Sequence, residues 1–151
     1  MIKAVIFDID NTLTDFMRMK RASVDSAVEG MIDAGLKVEK AAMVEKIFDI
    51  YWKDGVEDQN IFDKVLKKEF GHIDYKVLAA GIIGYRRAKA GTMALYPHVD
   101  MTLIELMKMG IQMVALSDAP KLAVYLRIVG LGLHNYFDHI VTAEDTGVKK
   151  P

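Results

Sequence analysis

The sequence predicts an α/β protein with a parallel sheet and one long, all-helical insertion. Three observations carry this. An apolar run, Ala4-Val5-Ile6-Phe7, ends in the acidic turn Asp8-Ile9-Asp10. A second apolar run, Ile111-Gln112-Met113-Val114-Ala115-Leu116, ends in Ser117-Asp118. Between them, residues 17–89 carry helical spacing and no strand pattern. Near-continuous apolar runs are the signature of strands buried on both faces of a parallel sheet.

The elements follow in order. Residues 3–8 form the first strand. Met17, Met19, Ala22, Val24, Ala27, Val28, Met31 and Ile32 fall at helical spacing, with Thr14 or Asp15 as the expected cap and Gly35 as the stop. A second helix is expected over 41–51, a polar loop over 53–60, and two more helices over 61–70 and 75–88. From Tyr96-Pro97 helix and strand alternate. Asp100 is expected to cap a helix over 101–109 that Gly110 ends. The second strand follows. Pro120 suits the first turn of a helix running to about Val129 and closed by Gly130. His139-Ile140-Val141-Thr142 is a short third strand. Such alternation implies right-handed crossovers and a Rossmann-like core. The expected domains are a core of residues 1–15 and 91–151 and a helical insert of residues 16–90.

Bulk properties set the outer limits. The 151 residues are 52% hydrophobic, enough for a sizeable core. Net charge is −1 with 27% charged residues of mixed sign, which gives no nucleic-acid footprint and no polybasic membrane patch. The absence of cysteine excludes disulfides, thiolate catalysis and thiolate metal sites. No signal peptide and no span-length apolar stretch is visible, so a cytoplasmic protein is expected. The ten methionines read as adaptable core filler.

Chemistry is expected at the strand tips, because doubly wound sheets bind ligands beyond the carboxyl ends of their strands. Side chains alternate along a strand, so Asp8 and Asp10 are expected on one side and Ile9 in the core. Two like charges there call for a cation between them or a shared proton. Asp8/Asp10/Thr12, Ser117/Asp118 and the Lys149-Lys150 region suit phosphoryl transfer together. One carboxylate can attack phosphorus, and a second can protonate the leaving oxygen and later deprotonate water. Hydroxyl, ammonium and Mg²⁺ can bind and neutralise the phosphoryl oxygens. Taken singly, each residue has a plainer reading. An Asp at a strand tip can be a turn or cap residue, Asp118 can cap the helix near Pro120, and Lys150 can be a solvated lysine. His72, His98, His134 and His139 lack metal-ligand spacing. Arg18, Lys20, Arg21, Arg86, Arg87 and Lys89 are expected mostly on solvated helix faces, and Tyr51 and Trp52 in packing.

Val5-Ile6-Phe7-Asp8-Ile9-Asp10-Asn11-Thr12-Leu13 resembles the first motif of the haloacid dehalogenase superfamily of phosphohydrolases. Leu116-Ser117-Asp118-Ala119 resembles its second motif, and Thr142 to Pro151, with Lys150 before proline, its third. The resemblance implies Asp8 as nucleophile and Mg²⁺ ligand, and Asp10 as general acid/base that binds Mg²⁺ through its backbone carbonyl. It implies Thr12 as the residue orienting Asp10, Ser117 as phosphoryl binder, and Lys150, ahead of Lys149, as charge balance for Asp8. It makes the insert a helical cap and a small phosphorylated metabolite the substrate. Asn11 stands where glycine is common in the family, and asparagine tolerates the same tight turn. The family's fourth motif, a downstream acidic pair completing the Mg²⁺ site, has no counterpart before Pro151. The expectation is an incomplete product, inactive as a fragment, or a chain whose exposed edge beside Asp8 pairs with another copy. Alternatives are a 2-haloacid dehalogenase-like hydrolase, a phosphomutase or phosphonatase, a phospho-receiver domain, and a non-catalytic phosphate- or metal-binding module. Dehalogenation needs no acid at position 10, so Asp10 favours phosphate.

Overall fold

The computed structural model describes residues 1–151. The chain divides into two compact units, Met1–Met17 with Met93–Pro151, and Arg18–Thr92.

The first unit holds the sheet. β1 (Ala4–Phe7), β2 (Gln112–Ser117) and β3 (His139–Thr142) are all parallel, in the order β1-β2-β3. Phe7 lies opposite Ala115, and Ser117 opposite Thr142. The β2–β3 ladder is clamped at its start. Asp138 donates its amide to Met113 O at 2.8 Å, and its carboxylate accepts the Met113 amide at 2.8 Å. The core gathers Ile9, Leu13, Leu103, Met113, Ala115, Val124, Ile128, Leu133 and Phe137. Phe7 meets Phe137 edge-on at 6.1 Å. Each fully buried aliphatic side chain contributes about 1.5–3 kcal/mol. β1 is an edge strand, and Ile6 on it is 65% exposed.

Three helices complete this unit. α5 (Val99–Lys108) buries Leu103, and α6 (Lys121–Gly130) buries Val124, Arg127 and Ile128. α7 (Ala143–Thr146) starts on a capping box formed by Thr142 and Asp145. Three expected boundaries shift. His98, at φ 66°, is the N-cap of α5, and Asp100 sits inside its first turn, accepting the Met101 amide at 2.8 Å. Pro120 precedes α6 as its N-cap instead of opening its first turn. Gly130 is the last helical residue, and the positive-φ turn falls on Gly132.

The second unit is helical. It contains most of α1 (Phe16–Asp33), then α2 (Lys40–Asp54), α3 (Ile61–Phe70) and α4 (Tyr75–Thr92). The Glu39 carboxylate caps α2 by accepting the Ala41 and Ala42 amides at 3.0 and 2.7 Å. These amides hold the Glu39 carboxyl below the usual carboxylate range, Ala42 more than Ala41. Asp74 accepts the Lys76 and Val77 amides at the start of α4. α1 and α4 approach closely at Gly84, where a β-carbon would lie 2.5 Å from Ser26 O. Inside the unit, Lys20 is 3% exposed. Its ammonium donates to Tyr85 Oη at 2.9 Å and lies 4.3 Å from the Tyr51 ring centroid. Burial pushes the Tyr51 phenol above its ordinary pKa. No helix is long and apolar enough to cross a membrane.

Candidate active site

The site grows from the end of β1. The strand stops at Phe7, and the chain turns at once. Ile9 O accepts the amides of Thr12, Leu13 and Thr14 at 3.3, 2.9 and 3.2 Å, and Asn11 N donates to Thr14 O at 2.8 Å. Asn11 takes the left-handed conformation, φ 59°, which asparagine tolerates better than most residues. Its side-chain oxygen also accepts the Met17 amide at 3.1 Å, so Asn11 contributes to capping the first turn of α1, where Thr14 was one of two expected caps. Thr14 is instead buried and pairs with Leu95, while Tyr96 N donates to Leu13 O at 2.9 Å.

This turn decides where the carboxylates go. Ile9 is fully buried, as alternation demands. Beyond it the backbone is no longer a strand, and the two acidic side chains acquire different partners. Asp8 is bonded on both oxygens: Thr12 Oγ1 donates to Oδ2 at 3.0 Å, and Lys150 Nζ pairs with Oδ1. Asp10 pairs with Arg127, whose Nη1 lies 3.1 Å from Oδ2. Thr12 was expected to orient Asp10; its hydroxyl goes to Asp8, because the turn folds residue 12 back over the strand end. The expected repulsion between two like charges is met by two cations of the chain itself, one beside each carboxylate.

Lys150, and not Lys149, is the lysine that reaches Asp8. Its Nζ also lies 3.4 Å from Leu116 O, and its backbone amide donates to Asp118 Oδ1 at 2.9 Å. Asp118 therefore anchors the lysine's backbone; capping of α6 was the plainer expectation. Ser117 ends β2 and is 3% exposed, and its Oγ accepts the Ala119 amide at 3.2 Å. Its place at the tip follows from register: two residues past Ala115, which faces Phe7. At the neighbouring tip of β3, the Thr142 amide and hydroxyl both donate to Asp145 Oδ2, at 2.9 and 2.8 Å. Lys121 pairs with the same carboxylate and is the first cause, ahead of Thr142, of its low pKa of about 2.

Arg127 is the residue that sequence reasoning missed. It is 2% exposed, and its guanidinium lies 4.7 Å from the Phe16 ring centroid. A signal existed. In Lys121-Leu122-Ala123-Val124-Tyr125-Leu126-Arg127-Ile128 the arginine falls three residues after Val124 and beside Ile128, on the apolar face of the helix. A charge there needs a partner.

No three His, Cys, Asp or Glu side chains gather as a metal-binding group. The arrangement offers a carboxylate between a hydroxyl and an ammonium at one strand tip, and a second carboxylate held by a buried arginine two residues on.

A family model for haloacid dehalogenase-like hydrolases matches residues 2–151. The chain belongs to that family. It is 32% identical over 151 residues to a glyceraldehyde 3-phosphate phosphatase of Methanocaldococcus jannaschii, covering all of this chain and 66% of that protein. It is 30% identical over 151 residues to the enzyme of the same name from Methanothermobacter thermautotrophicus, covering all of this chain and 67% of that protein. The crystal structure of a phosphatase of this family from Thermococcus onnurineus shares its fold, with a TM-score of 0.64 at 21% identity, over 99% of this chain and 66% of that one. The chain spans about two thirds of the length of these relatives.

Proposed function

We propose that this polypeptide is a Mg²⁺-dependent phosphatase that hydrolyses a small phosphorylated metabolite through an aspartyl-phosphate. The observation that carries this reading is Asp8, at the tip of β1, with Thr12 and Lys150 on its two oxygens. A carboxylate so placed is oriented for attack, with an ammonium beside it to balance its charge.

In the first half-reaction an Asp8 oxygen attacks phosphorus and the bond to the leaving oxygen breaks. The Asp10 carboxyl gives its proton to that oxygen. In the second, the Asp10 carboxylate takes a proton from water, the water oxygen attacks phosphorus, and phosphate leaves with Asp8 restored. Lys150 offsets negative charge at Asp8 and on the phosphoryl group, and Ser117, at the next strand tip, is the residue we assign to a phosphoryl oxygen. The donor chemistry suits Mg²⁺: the Asp8 carboxylate and the Asp10 backbone carbonyl are hard oxygen ligands, and Mg²⁺ keeps several waters when a protein supplies one or two. Bound there, the ion would neutralise charge on the transferring phosphoryl group. In this reading the helical unit Arg18–Thr92 is the cap that selects the substrate. The two relatives named as glyceraldehyde 3-phosphate phosphatases make a phosphorylated three-carbon sugar the first substrate to try.

The test is phosphate release by the full-length polypeptide from 4-nitrophenyl phosphate and from a panel of phosphosugars that includes glyceraldehyde 3-phosphate. Turnover should require Mg²⁺, stop on chelation and be lost in Asp8→Asn. No phosphate release, or full turnover in Asp8→Asn, would sink the proposal.

A further inference from the structure

We propose that Arg127 is a positioning residue for proton transfer: its guanidinium, and not the Thr12 hydroxyl, sets where the Asp10 carboxyl points. The inference rests on the phosphatase reading above and goes beyond it, by placing control of the general acid on a helix remote in sequence from the catalytic turn.

Arg127 occupies the buried face of α6, between Val124 and Ile128, both fully buried. An aliphatic side chain would suit that face, whereas a buried guanidinium costs several kcal/mol unless it is paired and hydrogen-bonded. Its carboxylate partner is a residue of the catalytic turn, with Nη1 3.1 Å from Asp10 Oδ2. The guanidinium is itself steadied: Phe16, 5% exposed, lies 4.7 Å from it. A planar fork with a ring beside it has little freedom to swing.

The catalytic turn provides no equivalent hold from Thr12, whose hydroxyl is committed to Asp8. A carboxyl on two rotatable bonds moves a proton efficiently only when it is kept in line with the leaving oxygen. Fixing Oδ2 fixes the plane of the group and hence the direction of Oδ1. Because α6 packs through Val124 and Ile128 into the same core as Met113 and Ala115, this hold references Asp10 to the strand that carries Ser117.

A misplaced general acid has a kinetic signature that a loosened fold lacks. Protonation matters for a poor leaving group such as an alkoxide and little for 4-nitrophenolate. The experiment compares kcat/KM for an alkyl phosphate and for 4-nitrophenyl phosphate in the full-length wild type, Asp10→Asn, Arg127→Met and Arg127→Lys, with circular dichroism to check folding. Asp10→Asn sets the scale. Arg127→Met should lose about 10–100-fold on the alkyl phosphate and under about 3-fold on the aryl one, with Arg127→Lys between it and wild type. If Arg127→Met does not fold, Arg127→Lys carries the same comparison. Equal losses on both substrates in the folded variants overturn the positioning role and leave the phosphatase reading intact. A wild type that hydrolyses neither ester overturns the phosphatase reading, and this inference with it.

Discussion

Each unit buries one cation, and the two are held differently. In the sheet unit, Arg127 meets the carboxylate of Asp10. In the helical unit, Lys20 donates to the Tyr85 phenol and stands against the Tyr51 ring. Both side chains carry a desolvation cost of several kcal/mol. The sheet unit meets it at a residue two positions from the nucleophile of our proposal. The helical unit meets it with a phenol, an aromatic ring and the charge of Asp58. The difference teaches where each unit stores its polar contacts: one at the strand tip where our proposal puts the chemistry, the other inside a scaffold.

That contrast can be broken at several points. The largest expected effect is on chemistry. Asp8→Asn should lower kcat by about 10⁴-fold or more, as removal of a nucleophile does, while the melting temperature of the variant stays close to that of the wild type. A variant that melts far lower would mean that Asp8 serves the sheet unit as structure. In the helical unit the order of effects should reverse, with stability responding first. Gly84→Ala improves helix propensity by up to about 1 kcal/mol. It also forces a β-carbon to within 2.5 Å of Ser26 O. A net loss of about 2 kcal/mol in a denaturant titration is expected; a stabilised variant would show that α1 and α4 can part freely. Tyr85→Phe removes the oxygen that accepts from Lys20 and should cost about 1–2 kcal/mol, read as a lower denaturation midpoint.

The smallest effect lies at the tip of β3. Asp145 is held down to a pKa of about 2 by Lys121 and Thr142, from an ordinary 3.8. A depressed carboxylate contributes stability above its unfolded pKa and loses it as pH falls through the folded one. The stability advantage of the wild type over Asp145→Asn should therefore hold at pH 5 and shrink between pH 3.8 and about 2. A constant gap across that range would remove the Lys121–Asp145 pair from the account. The pair is exposed, so the effect is small.

Much of this was legible in the residues. Apolar runs gave the strands and the acidic turn after the first run marked the candidate site, but burial on both faces does not hold for β1, an edge strand whose Ile6 is 65% exposed. The path of the chain after Ile9 was not legible. Alternation puts Ile9 in the core, where it is, but it does not describe the turn in which three amides converge on Ile9 O. The same turn sends the Thr12 hydroxyl to Asp8, a partner that spacing alone does not reveal. Arg127 went unnoticed because its partner lies 117 positions away. A buried charge declares itself in sequence only as an interruption of an apolar face, and its partner is a matter of tertiary packing. The choice between Lys149 and Lys150 likewise depended on Asp118, which holds the Lys150 backbone.

The pairing of Thr14 with Leu95 has a consequence for how the molecule is made. The chain leaves the sheet unit and re-enters it side by side, joined by the Tyr96–Leu13 hydrogen bond. To the sheet, the intervening residues behave as a short hairpin once their helices have formed. Loop-closure entropy grows only logarithmically with length, and a folded insert lowers the effective length further. β1 can then find β2, although Ala4 pairs with Gln112, without searching the full span of an unfolded insert. The same neck lets the helical segment be lengthened, shortened or replaced at modest entropic cost, so long as Thr14 and Leu95 still meet.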